Sequence, residues 1–202
     1  MIKRLVMLKI VSDVLYGDEV KYFSCGKCKT RMEVVDTIVL HATGGASAMS
    51  SVVHLCNPKT KVAAHVVVGR DGGYYQMVPF VVKAWHAGIS MLFGRANVND
   101  FSIGVEIDNA GKLRREGDRF FSSFGREYMP NEVYTNVENG HAVYWHAFTG
   151  EQIDAVIRLC RLLREYYGIK YLVRHSDITS RKVDPGLAFP FEEVKKKAGF
   201  VF

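Results

Sequence analysis

Two short β-type runs, far apart in the chain, each end in a histidine. Thr37-Ile-Val-Leu40 leads into His41, and Tyr171-Leu-Val-Arg174 leads into His175. Short apolar runs rich in branched side chains read as buried strands, so the fold has to seat two imidazoles on the ends of rigid elements. A carboxylate follows the second histidine, in His175-Ser-Asp-Ile-Thr-Ser-Arg-Lys-Val-Asp184-Pro-Gly. His41, His175 and Asp184 supply, in number and kind, the three protein donors of a catalytic zinc site whose fourth position stays open. The same three also read as hydrogen-bonded structural residues, and spacing alone leaves both readings open.

At 202 residues and 48 % hydrophobic, the chain can bury one substantial core and has little room for a second full domain. Its formal charge of +6 implies attraction to polyanions, among them nucleic acid, acidic lipid and a bacterial wall rich in carboxylates and phosphates. Basic residues are dispersed except for Lys195-Lys-Lys197 and do not interleave with aromatics as on a strand-binding surface. Nucleic acid is therefore not the expected partner. Lys9 interrupts the run Leu5-Val-Met-Leu8 before it reaches the length of a signal-peptide core. With no apolar stretch of about twenty residues, no membrane span is expected. The expectation is synthesis in the cytoplasm without a signal peptide.

Local patterns give an α/β fold with a mixed central sheet flanked by helices and the donors gathered at one edge. Residues 4 to 11 and 19 to 23 read as strands of a hairpin turning at Gly17-Asp18, an N-terminal extension over residues 1–33 that precedes a core over 34–202. Ser47 to Cys56 has helical spacing and stops at Asn57-Pro58. Ala64 to Val68, the Arg70-Asp-Gly-Gly73 turn and Tyr74 to Val78 make a second hairpin. In the strand Ser102 to Ile107, Ile103, Val105 and Ile107 share one face, with Gly104 and Glu106 on the other. Residues 112 to 146, rich in charge, Gly and Asn, read as a long surface insertion. Thr149-Gly-Glu-Gln152 is a capping box for a helix that carries Ile153, Val156, Ile157, Cys160, Leu163 and Tyr167 on one side and ends at Gly168. Cys25-Gly-Lys-Cys28 is a lone pair of thiols that fills half a structural zinc shell, read as a turn around Gly26 or an incidental disulfide. Cys56 and Cys160 read as small buried hydrophobes.

Five segments taken in order are specific: Asp36-Thr-Ile-Val-Leu-His41-Ala-Thr-Gly-Gly, Ala64-His-Val-Val-Val-Gly-Arg-Asp-Gly72, Ala84-Trp-His-Ala-Gly88, Asn99-Asp-Phe-Ser-Ile-Gly-Val-Glu106 and His175 to Gly186. Over roughly residues 34 to 190 they resemble the type 2 N-acetylmuramoyl-L-alanine amidases, zinc peptidoglycan hydrolases that share a fold with the peptidoglycan recognition proteins. The resemblance implies Zn2+ on His41, His175 and Asp184, with Glu106 as general base and then acid. By itself Glu106 would read as an exposed strand carboxylate. Lys182, two residues before Asp184, projects to the same side of an extended segment, and the family pattern Arg-Lys-x-Asp-Pro-Gly gives it the developing oxyanion. Trp85 and His86 resemble groove-lining residues, and Arg181 is a candidate for a substrate carboxylate. His65 is divided between support of the site and strand packing, while His54, His141 and His146 are expected to take no catalytic part. Some phage relatives carry a catalytic tyrosine where this chain has Ala64, which shifts proton transfer toward Glu106.

The implied activity is zinc-dependent hydrolysis of the amide between N-acetylmuramic acid and L-alanine, on peptidoglycan or muropeptide. Such an enzyme would act on cytosolic fragments or on the wall after release. The alternative is a recognition protein of the same fold that binds peptidoglycan without cutting it, as relatives lacking a full ligand set do.

Overall fold

Strand formation follows the apolar runs. In the computed structural model, which describes residues 7–200, the chain begins with β1 (Lys9–Val11), β2 (Val14–Tyr16), β3 (Val20–Tyr22), β4 (Thr37–Ala42) and helix α1 (Ala48–Cys56). It continues through β5 (Val66–Val68), β6 (Tyr74–Gln76), β7 (Met91–Leu92), β8 (Arg95–Ala96) and β9 (Ser102–Ile107). Five strands of the insertion come next: β10 (Lys112–Glu116), β11 (Arg119–Phe121), β12 (Glu127–Tyr128), β13 (Val133–Glu138) and β14 (His141–His146). The chain closes with α2 (Gly150–Tyr167), β15 (Tyr171–Arg174), α3 (His175–Ile178) and α4 (Phe191–Lys197).

The central sheet has six strands in the order β15-β4-β9-β5-β6-β3, a mixed sheet flanked by helices. β15, β4, β9 and β5 run parallel, β6 returns antiparallel to β5, and β3 adds parallel to β6. Side chains alternate between the two faces of a strand, and that sorts function from packing. Ile38, Leu40, Ile103, Val105 and Ile107 face the core shared with Ala155, Val156, Leu159, Cys160 and Leu163 of α2 and Val194 of α4. The opposite face carries Val39, His41, Gly104 and Glu106. Leu159 and Leu163 have no exposed surface, and burying each contributes about 1.5–3 kcal/mol.

Helix α2 starts where Thr149 accepts the Gln152 N–H at 3.1 Å and ends at Gly168, whose φ of 67° suits a residue without Cβ. The Thr149 hydroxyl also donates to the Arg70 carbonyl at 2.6 Å, tying the helix start to the hairpin turn after β5. α1 is capped by Ser47 and stops at Asn57 as its sequence suggests.

Three regions differ from the sequence expectation. The N-terminal hairpin is made by β1 and β2 and turns at Ser12 and Asp13, both at positive φ, rather than at Gly17-Asp18. The run expected over 19–23 forms β3 and pairs with β6 in the central sheet. Of the strand expected over 4–11, residues 4–6 lie outside the described residues. The surface insertion holds more order than its composition suggests: β12-β11-β10-β14-β13 form a second, antiparallel sheet with a small core of Ala110, Leu113 and Tyr128. β10 buries only Leu113 and shows no two-sided pattern to read.

All four cysteines are free thiols. Cys25 and Cys28 bracket a turn in which the Cys28 N–H donates to the Cys25 carbonyl at 3.3 Å. Cys160 is fully buried as an apolar filler. Cys56 is only half-buried; burial first, then the neighbouring Cys25 thiol, pushes both it and Cys28 up to about 12.

Gly104 is the point where the His86 ring lies against the sheet, and a Cβ there would overlap that ring. Gly104→Ala should therefore cost about 1–3 kcal/mol, read in urea as a lower midpoint at unchanged slope.

Candidate metal centre

β4 and β15 are hydrogen-bonded neighbours in register, Leu40 against Arg174. His41 and His175, one residue further along each, consequently emerge side by side. Their Nδ1 atoms are 2.9 Å apart. The Asp184 Oδ2 lies 2.9 Å from His175 Nδ1 and 3.4 Å from His41 Nδ1. All three donor atoms fall within 4.8 Å of one another, and no other such trio occurs among the described residues. Both histidines are buried, with Asp184 partly exposed at the mouth.

Hydrogen bonding behind His41 fixes which of its nitrogens is free. The Ser102 hydroxyl donates to the Val98 carbonyl at 2.6 Å, so toward His86 it can only accept, as can the Ser102 carbonyl. His86 therefore carries its proton on Nε2 and offers Nδ1 as an acceptor to His41 Nε2, 3.0 Å away. His41 then donates from Nε2, and its Nδ1 is left as a bare lone pair facing His175 and Asp184. One proton on His175 can serve only one of its two close contacts at a time, whereas a cation serves all three donors. Donor separations in a tetrahedral shell of about 2 Å bonds are roughly 3.3 Å, close to those observed. The residues fit a small divalent ion.

Electrostatics pull the groups apart. Burial lowers His41 to about 4 and holds His86 well below its ordinary value, keeping both neutral at physiological pH. Burial would raise Asp184, but the hydrogen bond from His175 prevails and holds it well below the carboxylate range. Glu106, opposite His41 in the β4–β9 register, is pushed up to about 8 by burial and then by Asp184, against the opposing pull of Lys182. Its Oε2 is buried without a hydrogen-bond partner.

Two cavities flank the trio. One of about 320 Å³ is lined by Thr43, Ser50, Ser51, His54 and Glu106. The other, about 540 Å³, is bounded by Lys61, Trp85, His86, Arg181, Lys182 and His175. Trp85 is 38 % exposed in this groove, and the Arg181 guanidinium donates to the Ile89 carbonyl at 2.6 Å. His86 borders the groove, yet both its ring nitrogens are engaged by His41 and Ser102, a support that its motif did not reveal. His65 is a packing residue: it accepts the Gly104 N–H and donates to the Val82 carbonyl, each at 2.9 Å. His146 accepts from the Ala110 N–H at 3.0 Å.

Glu106 carries a pH signature. Its folded value near 8 lies above the usual 4.5, so the native state binds more protons than the unfolded chain and stability falls as pH rises between those two values. Metal-free Glu106→Gln should gain stability over the parent progressively from pH 5 to 8 in denaturant titrations. Parallel curves for the two proteins would contradict the shift.

Residues 31–187 match the family model described as N-acetylmuramoyl-L-alanine amidase. The 1,6-anhydro-N-acetylmuramyl-L-alanine amidase AmpD of Escherichia coli (strain K12) is 33 % identical over 132 residues, 64 % of this chain and 54 % of that protein. The N-acetylmuramoyl-L-alanine amidase AmiD of the same strain is 32 % identical over 126 residues, 61 % of this chain and 37 % of that protein. The chain thus matches about half the length or less of these curated relatives. Among solved structures, a Se-Met AmpD derivative superposes with a TM-score of 0.66 at 23 % identity, covering 95 % of this chain and 99 % of that one. AmpDh3 from Pseudomonas aeruginosa, in complex with anhydromuramic pentapeptide, gives 0.59 at 26 % identity over 81 % of this chain and 59 % of that one. One family model spans well over half of the sequence, and His41, Glu106, His175 and Asp184 all lie inside the matched region: the chain belongs to the N-acetylmuramoyl-L-alanine amidase family.

Proposed function

We propose that the protein is a zinc-dependent amidase that hydrolyses the bond between the lactyl group of N-acetylmuramic acid and L-alanine, in peptidoglycan or its soluble fragments. The convergence of His41, His175 and Asp184 on one point carries this reading. Two imidazoles and a carboxylate are a donor set suited to zinc. Relatives named for this reaction, and a solved complex of AmiD with anhydro-N-acetylmuramic acid-L-Ala-D-gamma-Glu-L-Lys, supply the substrate class. The complete donor set favours cleavage over binding alone. No helix among the described residues is long and apolar enough to cross a membrane.

When bound, zinc supplies the positive charge that polarises the scissile carbonyl and acidifies water. The chain's own groups do the rest. Glu106, held opposite His41 with a free acceptor oxygen, takes the proton from the attacking water and returns it to the leaving amine. A carboxyl tuned toward neutrality suits both transfers. Lys182 places an ammonium beside the groove, where it stabilises the tetrahedral oxyanion. The Trp85 indole offers an apolar face to a sugar ring or peptide stem, and Arg181 a fork for a stem carboxylate.

Incubation with purified muropeptides and with intact sacculi, followed by mass spectrometry, should release free stem peptide from at least one of them. A chelator should abolish release and added zinc restore it; no metal-dependent release from either substrate defeats the proposal. Glu106→Gln should keep its zinc while turnover falls about a hundredfold or more. His86→Ala, which frees the His41 tautomer, should weaken zinc binding by about ten- to a hundredfold, measured by chelator competition.

A further inference from the structure

One side chain of the insertion sheet packs against the loop that follows Asp184. Trp145, on β14, is 6 % exposed, and the outer edge of its indole lies directly against Gly186. A Cβ at Gly186 would overlap ring atoms Cζ3 and Cε3. Gly186 is two residues beyond Asp184, in a stretch whose preceding residues 180–183 are exposed. The Asp184 backbone is otherwise fixed by the Ser176 N–H, which donates to its carbonyl at 3.2 Å. Trp145 itself is firmly held. The next residue, His146, donates its N–H to the Gly111 carbonyl at 2.9 Å and accepts from Asn109 Nδ2 at 2.9 Å and the Ala110 N–H at 3.0 Å. Residues 109–111 follow directly on the strand that bears Glu106, which ends at Ile107.

We propose that Trp145 is a positioning residue for Asp184: by packing on Gly186 it fixes the carboxylate-bearing loop relative to the strand of Glu106. The proposal rests on reading the histidine–aspartate trio as a metal site. Packing in a protein interior transmits displacement, and loss of a group that orients a metal donor weakens binding by about ten- to a hundredfold. The indole N–H has no hydrogen-bond partner among the described residues, so the role is one of shape, and replacing the indole breaks no hydrogen bond.

The test is a double-mutant cycle on zinc affinity by competition with a chromophoric chelator, with fold checked by circular dichroism. Trp145→Ala should weaken binding about tenfold or more in the parent and by less than twofold in an Asp184→Ala background, because a missing carboxylate cannot be misplaced. Equal losses in both backgrounds, or unchanged affinity in folded Trp145→Ala, overturn the proposal. If the alanine variant does not fold, Trp145→Phe, which keeps an aromatic core but withdraws the outer ring edge from Gly186, goes through the same cycle under the same criterion. Zinc affinity is read without substrate, so failure here is distinct from failure of the amidase assay.

Discussion

The structure depends on the parallel pairing of β4 between β15 and β9. Parallel strands advance in step, so residues just beyond a shared register are neighbours in space. That is how His41 and His175, 134 residues apart in sequence, come to share a 2.9 Å contact. The same pairing sets Glu106 opposite His41. Alternation along β4 and β9 then buries Ile38, Leu40, Ile103, Val105 and Ile107 beneath α2 and turns the polar residues to the other face. A one-residue slip of β9 would send Glu106 into the apolar core. The hydrophobic core and the site therefore specify one another.

How much of this was legible depended on whether the signal was local. α2 could be read residue by residue, because a capping box, a 3.6-residue period and a glycine stop are all short-range features. β9 could be read as well, since one of its faces is wholly apolar. The donors were visible as residue types, but their convergence is a matter of register between distant strands, and the family resemblance rather than the spacing supplied it. The support given by His86 was hidden for the same reason: it depends on Ser102 and His41 meeting its ring from other strands. The insertion was legible as a surface excursion but not as a sheet, because β10 buries one residue and β13 none, which leaves no hydrophobic period to read. Its core of Ala110, Leu113 and Tyr128 is drawn from three separate places.

Desolvation and pairing act in opposite directions on neighbouring groups, and their balance gives each its state. Burial alone would protonate Asp184 and Glu106 alike. Asp184 escapes because His175 hydrogen-bonds to it, whereas Glu106 has no such partner and remains raised. His41 stays neutral because burial outweighs the attraction of Asp184. Titratable groups whose values are driven apart in this way are suited to different tasks, which is the basis for the proposed roles of Asp184 and Glu106. Replacing either imidazole would therefore alter Asp184 and, through it, Glu106, so single substitutions in this cluster are not expected to add.

Asn109 shows how the two sheets are joined into one site. The Thr43 hydroxyl, two residues past His41, donates to the Asn109 carbonyl at 3.2 Å and lies at the same distance from the Asn109 N–H. Its side chain accepts from the Gly111 N–H at 2.8 Å and donates to the His146 carbonyl at 2.9 Å. A single buried residue thus connects the His41 loop, the strand end beyond Glu106 and the residue after Trp145. Aspartate at this position would lose the donor and leave the His146 carbonyl unpaired, a loss of about 1–3 kcal/mol for a buried group. The insertion sheet is accordingly fastened to the catalytic strands by hydrogen bonds at one end of β14 and presses on the Asp184 loop beside it, which makes it a structural part of the site rather than an appendage.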